Sequence, residues 1–172
     1  MQRIASTGFS LVELLVTLCV LAIISSFALP NLGKYLERNR QENLLHSLSN
    51  HLSAARREAI SQKRRVELCG SSTGSGCDQA WAKGWLIRDS ADKTTLRFNR
   101  LEGRDTLKWL GAGTTSQGIT YQANGTTLAN NGRFVLCSND GHVLWQLVIN
   151  RQGRVRHVAG LEAGQRAEQL CK

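Results

Sequence analysis

From Phe9 to Leu29 the chain is apolar apart from Glu13 and a few small polar residues. About 21 residues at about 1.5 Å each build a helix of roughly 30 Å, the thickness of a bilayer's hydrocarbon core. No other stretch restricts the fold as much. One carboxylate sits inside it. An ionised acid at the centre of a membrane helix costs roughly 2.5–3.5 kcal/mol on insertion scales, and less near an end. Glu13 stands one turn from Phe9, where the cost is lower but a partner is still required.

The residues ahead of the run point to that partner. Met1 to Gly8 is short and polar and carries Arg3. A secretory signal has its small-residue cleavage site after the apolar core, whereas here Gly8 precedes it. A cut between Gly8 and Phe9 would leave the apolar helix on the mature chain and create an α-amine on Phe9. That cation would lie near the depth of the carboxylate in a neighbouring, staggered copy. Glu13 would then be paired once subunits assemble.

Gly8-Phe9-Ser10-Leu11-Val12-Glu13-Leu14-Leu15 resembles the class III signal of type IV pilins and pseudopilins. The resemblance implies that a prepilin peptidase cuts after Gly8 and methylates the new N-terminal Phe9. It also implies that Glu13 guides docking into a filament. Pro30, Asn31 and Glu37-Arg38-Asn39-Arg40 stand where that family has a helix kink and its exit from the membrane.

The chain has 172 residues, a formal charge of +9 and a pI near 9.9. The length suits one membrane helix plus one soluble domain. The basic excess survives loss of Arg3 with a leader. It suits a solvated basic surface or an anionic partner such as nucleic acid, lipid headgroups or acidic protein. Of the five cysteines, Cys19 lies inside the apolar run and reads as a small hydrophobe. Cys69, Cys77, Cys137 and Cys171 lie in the soluble part, an even count that fits two disulfides and an oxidising compartment. Cys69–Cys77 is the favoured pair, because the Gly/Ser-rich segment between them closes a small ring. Cys137–Cys171 then staples the C-terminal tail to a strand. Zinc is the competitor, but the chain has no C-x-x-C pair. Orientation is contested. Only Arg3 precedes the apolar helix while Lys34, Arg38 and Arg40 follow it, and charge alone would put the large domain on the cytoplasmic side. The cysteines and the pilin resemblance put it outside.

The helix is expected to continue past Pro30 and Gly33, which would kink or loosen it, to about Gln62. Leu44, Leu45, Leu48, Leu52, Ala55, Ala59 and Ile60 recur at helical spacing and read as a face packed on a sheet. Arg40, Asn43, Ser47, Asn50, Arg57 and Arg64 lie opposite, and His46 and His51 flank the stripe. Strands are expected at Arg65–Cys69, around Gly84–Ile87, at Thr94–Leu101, Ile119–Tyr121, Arg133–Cys137, Val143–Ile149 and Arg154–Val158. Gly70 to Gly76 reads as a plain loop, since it lacks a Gly-Lys-Ser/Thr ending. Gly103 to Gly118 reads as irregular with Trp109-Leu110 as a short anchor, and Gly160 onward as a polar tail. One long helix followed by six or seven antiparallel strands is an α+β pattern.

Arg65-Val66-Glu67-Leu68-Cys69, Gly84-Trp85, Asn124-Gly125, Gly132–Cys137 and Gly153-Arg154-Val155-Arg156 together resemble the GspH/FimT-type globular domain. That group includes minor pilins of the FimT/FimU kind and the H-type minor pseudopilin of type II secretion. The implied organisation is a leader (1–8), a transmembrane assembly helix (9–29), its amphipathic continuation (30–63) and a β-rich domain (64–172). The resemblance implies a single-pass inner-membrane protein with a periplasmic domain, later part of a filament. Its partners are prepilin peptidase, other minor and major pilins or pseudopilins, and inner-membrane lipid.

No nucleophile elbow, H-E-x-x-H, Walker loop or paired-acid motif occurs. The chain reads as an assembly subunit, not an enzyme, with no cofactor and no metal. A second feature carries charge. Arg154 and Arg156 project to one face of a strand, and two guanidiniums about 7 Å apart match the spacing of successive phosphates along a DNA strand. Arg151, Arg166 and Lys172 extend the patch. In some FimT-type members the corresponding Gly-Arg-x-Arg segment is associated with DNA capture during natural transformation. The same segment also suits a solvated edge strand whose charges deter unwanted pairing.

Overall fold

The computed structural model describes residues 10–102, 106–112 and 118–171, with the backbone alone for 27–31. The leader, Gly8, Phe9 and Lys172 lie outside the described residues. The chain divides into two units, Met1–Leu44 and Leu45–Lys172.

Helix α1 spans Leu11–Ser61 and continues without interruption through Pro30 and Gly33. In the first unit it starts at Ser10, whose Oγ accepts the Glu13 backbone N–H at 3.2 Å. This N-cap satisfies one of the donors that a helix start leaves unpaired. Farther along, the Thr17 and Ser26 hydroxyls donate to the Leu14 and Ile23 carbonyls at 2.8 and 2.7 Å. Both polar groups are thus satisfied inside the helix. Arg40–Glu37 (2.6 Å) and Arg38–Glu42 (3.1 Å) are exposed pairs on the helix surface, each worth about 0.3–0.5 kcal/mol. Among the described residues no helix is long and apolar enough to cross a membrane. The described side chains of the apolar run cover Leu11 to Ser26, so Phe9 and those of 27–29 fall outside them.

In the second unit the end of α1 packs on antiparallel sheets. Leu48, Leu52, Ala55 and Ala59 are fully buried, at the i, i+4, i+7, i+11 spacing of one helix face. The His51 ring meets Trp85 edge-on with centroids 5.7 Å apart, and its Nδ1–H donates to the Ser47 carbonyl at 2.8 Å. Past the helix, Lys63 takes a left-handed conformation (φ 50°). Arg64 then pairs with the buried Asp89 at 2.7 Å and with Glu58 at 3.2 Å, tying the helix end to the first sheet.

That sheet comprises β1 (Val66–Gly70), β2 (Gly84–Asp89), β3 (Thr95–Arg100) and β5 (Gly118–Tyr121), in the order β3-β2-β1-β5. The second comprises β4 (Thr106–Gly111), β6 (Gly132–Cys137), β7 (Val143–Ile149) and β8 (Val155–Ala159), in the order β4-β6-β7-β8. All six pairings are antiparallel. An aromatic cluster joins the two. Trp81, from the β1–β2 connection, meets Phe134 of β6 at 4.7 Å, and Trp109 of β4 meets the same ring at 4.7 Å.

Two sequence expectations need correction. Gly103 to Gly118 is not irregular throughout: Thr106–Gly111 is a full strand paired in register with β6. Leu107 is buried, but Leu110 is 36% exposed. That outward apolar residue breaks the alternation that marks a strand in sequence. The described strands therefore number eight, in two sheets, not six or seven. The polar tail also ends in a short helix, α2 (Ala167–Cys171), which carries Cys171 to the second sheet.

Candidate functional site

At the amino-terminal end, Glu13 lies on an exposed turn of α1. Its backbone is fixed by Ser10, a residue of the Gly8–Leu15 signal to which the sequence reading gave no role of its own. The S-x-x-E spacing of Ser10 and Glu13 is the signal that marks such a cap. The expected cleavage and methylation positions, Gly8 and Phe9, lie outside the described residues.

Two disulfides brace the domain, Cys69–Cys77 with Cα atoms 5.7 Å apart and Cys137–Cys171 at 5.8 Å. The sulfurs of Cys69 and Cys77 and the Glu67 carboxylate gather within 4.8 Å. The sulfurs are bonded to each other and Glu67 pairs with Arg88 at 2.8 Å and Lys93 at 3.4 Å, so this cluster has no thiolate for a metal.

The C-terminal basic segment starts at a tight turn. Gly153 has φ 74°, and its N–H donates to the Asn150 carbonyl at 2.9 Å. A Cβ there would collide with the Gly125 carbonyl oxygen and lie 3.1 Å from Tyr121 Cε1. Two turns therefore meet at this glycine. The Arg154 N–H donates to Asn150 Oδ1 at 2.9 Å, which fixes the entry to β8. In β8 Arg156 stands opposite Val148, itself opposite Arg133 of β6. Residues in such register share a face.

On that face the tail folds back over the sheet. Glu162 receives Arg156 at 2.6 Å and Arg133 at 3.3 Å. Gln146, buried in the middle of β7, donates to the Gly160 carbonyl and to Gln165 Oε1, both at 2.7 Å, and accepts from Arg133 at 2.9 Å. Lys108 Nζ donates to the Cys171 carbonyl at 3.0 Å. The hydrogen bond from Arg156, with the nearby charges of Arg156 and Arg133, holds the Glu162 carboxyl below the usual carboxylate range. Arg154 and Arg156 are thus not equivalent. Arg156 is engaged by Glu162. Arg151, Arg154 and Arg166 are exposed and form no ion pair or side-chain hydrogen bond among the described residues. Lys172 lies outside them.

A groove opens beside the same turn, between α1 and β8. Ser49, Ser53, Arg56 and Arg57 line one side and Gly153 and Val155 the other, around a volume of about 310 Å³. Arg56 was not singled out by the sequence. It sits between the buried Ala55 and the exposed Arg57, where periodicity assigns it to neither face.

A family model described as type II transport protein GspH matches residues 45–153, more than half of the chain. The chain belongs to the GspH family. This GspH-type chain is also similar to crystal structures of the type IV minor pilin FimU from Pseudomonas aeruginosa. In one crystal form FimU is 28% identical with a TM-score of 0.54, over 80% of this chain and 99% of that one. In a second form the identity is 24% and the TM-score 0.51, over 76% and 99%, a likeness of fold. No curated protein matches. The α+β architecture, one long helix packed on antiparallel sheets, is that of a pilin-like protein of the GspH, FimT and FimU type. Proteins of this family are pilin-like structural subunits that interact with other pilins or pseudopilins, and they are not known as enzymes.

Proposed function

We propose that this chain is a minor pilin of a type IV pilus. It inserts in the inner membrane through residues 9–29, with its domain in the periplasm. Prepilin peptidase cuts it between Gly8 and Phe9 and methylates Phe9. It then enters the pilus tip or initiation complex, with Glu13 pairing to the Phe9 amine of a neighbour. The observation that carries this is the likeness to FimU over 80% of the chain, joined to the Gly8–Leu15 signal. In a strain lacking this chain, the wild type should restore piliation and be recovered in sheared filaments. Glu13→Ala should be cleaved normally yet incorporated about tenfold less. Equal incorporation would refute the docking role of Glu13. Restored protein secretion without piliation would instead mark an H-type pseudopilin of type II secretion, the placement that the GspH family description favours.

A second role, DNA capture, is favoured by the guanidiniums of Arg151, Arg154 and Arg166, exposed and without an ion pair among the described residues. Contacts of this kind hold backbone phosphates with little sequence preference. Arg151→Ala, Arg154→Ala and Arg166→Ala together should lower DNA uptake while piliation is spared, and unchanged uptake would eliminate this role.

A further inference from the structure

We propose that the groove between α1 and the Asn150–Gly153 turn is a binding site for a phosphate ester, separate from the basic segment around Arg154. Ser49, Ser53, Arg56 and Arg57 project from successive turns of one side of the helix. They present two guanidiniums and two hydroxyls, and no carboxylate lines the groove among the described residues. Neither guanidinium has an ion pair or hydrogen bond among the described residues; Arg56 Nε, buried without an acceptor as Arg64 Nε is, lies against the Gly125 turn. Other partly buried arginines of this domain are matched: Arg64 to Asp89 and Glu58, Arg88 to Glu67, Arg133 to Glu162. Arg56 breaks that pattern. An unmatched cation in a half-buried site is costly, and an oxyanion is the ligand that offsets the cost. Guanidinium forks bind phosphate oxygens in pairs.

Size and geometry narrow the ligand. Two forks and two hydroxyls offer more donors than one carboxylate accepts, whereas a phosphate monoester brings three free oxygens. The volume of about 310 Å³ falls in the range of roughly 300–1,000 Å³ seen for small-molecule clefts, with space for the organic part of the ester. The far wall is fixed, because the Gly153 turn is held against Gly125 and Tyr121. Val155 lines the groove, so Arg154 and Arg156, one residue to either side, alternate to the other face of the strand.

The test uses the full-length, isotope-labelled chain in micelles of a neutral detergent, titrated with glycerol 3-phosphate at constant ionic strength, with glycerol as control. Saturable NMR shifts should appear at the Gly153 and Val155 amides and at Arg56 Nε–Hε, with none for glycerol. Arg57→Gln, at an exposed position, should weaken binding about tenfold, and Arg56→Gln with Arg57→Gln should abolish it. Arg154→Ala with Arg156→Ala should leave it within about twofold. If the same resonances respond to phosphatidic acid nanodiscs but not to the soluble ester, the phosphate is that of a lipid headgroup. No saturable shift with either probe, or binding retained in the folded Arg56/Arg57 double variant, would overturn the proposal.

Discussion

The two ends of α1 are both rich in leucine, and they treat it in opposite ways. Leu14, Leu18 and Ile23 are 54%, 53% and 60% exposed, while Leu48 and Leu52 are 0% exposed. Composition does not separate them; pattern does. The later stretch is striped, so one sheet face suffices to cover it. The earlier stretch is apolar on every side, and a single sheet would leave most of it in water. Burying one such side chain is worth about 1.5–3 kcal/mol, so the exposed stretch is suited to surroundings that enclose it completely, lipid or other helices. The same helix therefore has one half packed into the domain and one half whose apolar sides are left uncovered among the described residues.

The sharpest way to break this contrast is to remove the same atoms from each half. Leu52→Ala should destabilise the domain by about 2–5 kcal/mol, read by urea denaturation of the full chain in neutral detergent. Leu18→Ala in the same assay should stay within about 0.5 kcal/mol. Equal losses would mean that the amino-terminal half supports the domain after all. A second intervention acts on the domain alone. Cys137→Ser with Cys171→Ser opens a loop of 34 residues and should cost about 4 kcal/mol on the chain-entropy model, seen as a lower thermal midpoint that reductant, now acting on Cys69–Cys77 alone, shifts less than in the wild type. Filament incorporation of that variant should depend on Glu13 as before.

The smallest effect concerns the tail. Glu162 has a folded pKa below its unfolded value, held there first by the hydrogen bond from Arg156. Its contribution to stability is therefore full above the unfolded carboxylate value, about 4.3, and fades as pH falls through the folded one. Glu162→Gln should flatten the acid limb of a stability-versus-pH curve and leave the neutral region sloped as in the wild type. An unchanged acid limb would show that the Arg133–Glu162–Arg156 cluster does not hold the tail in solution.

Much of this architecture is legible in the sequence, for local reasons. The stripe from Leu44 to Ile60 brings the expected helix end to about Gln62, beside the observed Ser61, although Ile60 itself stays out of the packed face at 47% exposed. The Val143–Ile149 strand stands out by its apolar run, and it lies between β6 and β8. Strand partners were not legible. β5 pairs with β1 and not with its chain neighbour β4, a choice made by tertiary packing. The candidate site divides the same way. The exposure of Arg151 and Arg154 follows from the turn around Gly153. The Arg156–Glu162 pair needs the tail to fold back over Gln146, and the Arg56 groove needs α1 to lie beside a turn roughly a hundred positions downstream. No local periodicity encodes either.

The contact between Gly153 and Gly125 also decides where this chain tolerates lengthening. At Gly141, in the turn between β6 and β7, an added Cβ meets nothing within 4 Å, although the φ of 77° reserves the position itself for glycine. An epitope or fluorophore-acceptor peptide inserted there has open space ahead of it. The same insertion at Gly153 would push one turn off the other and shift the wall of the Arg56 groove. Gly141 is therefore the position from which to follow this subunit in living cells, and the Gly153 turn is the one to leave intact.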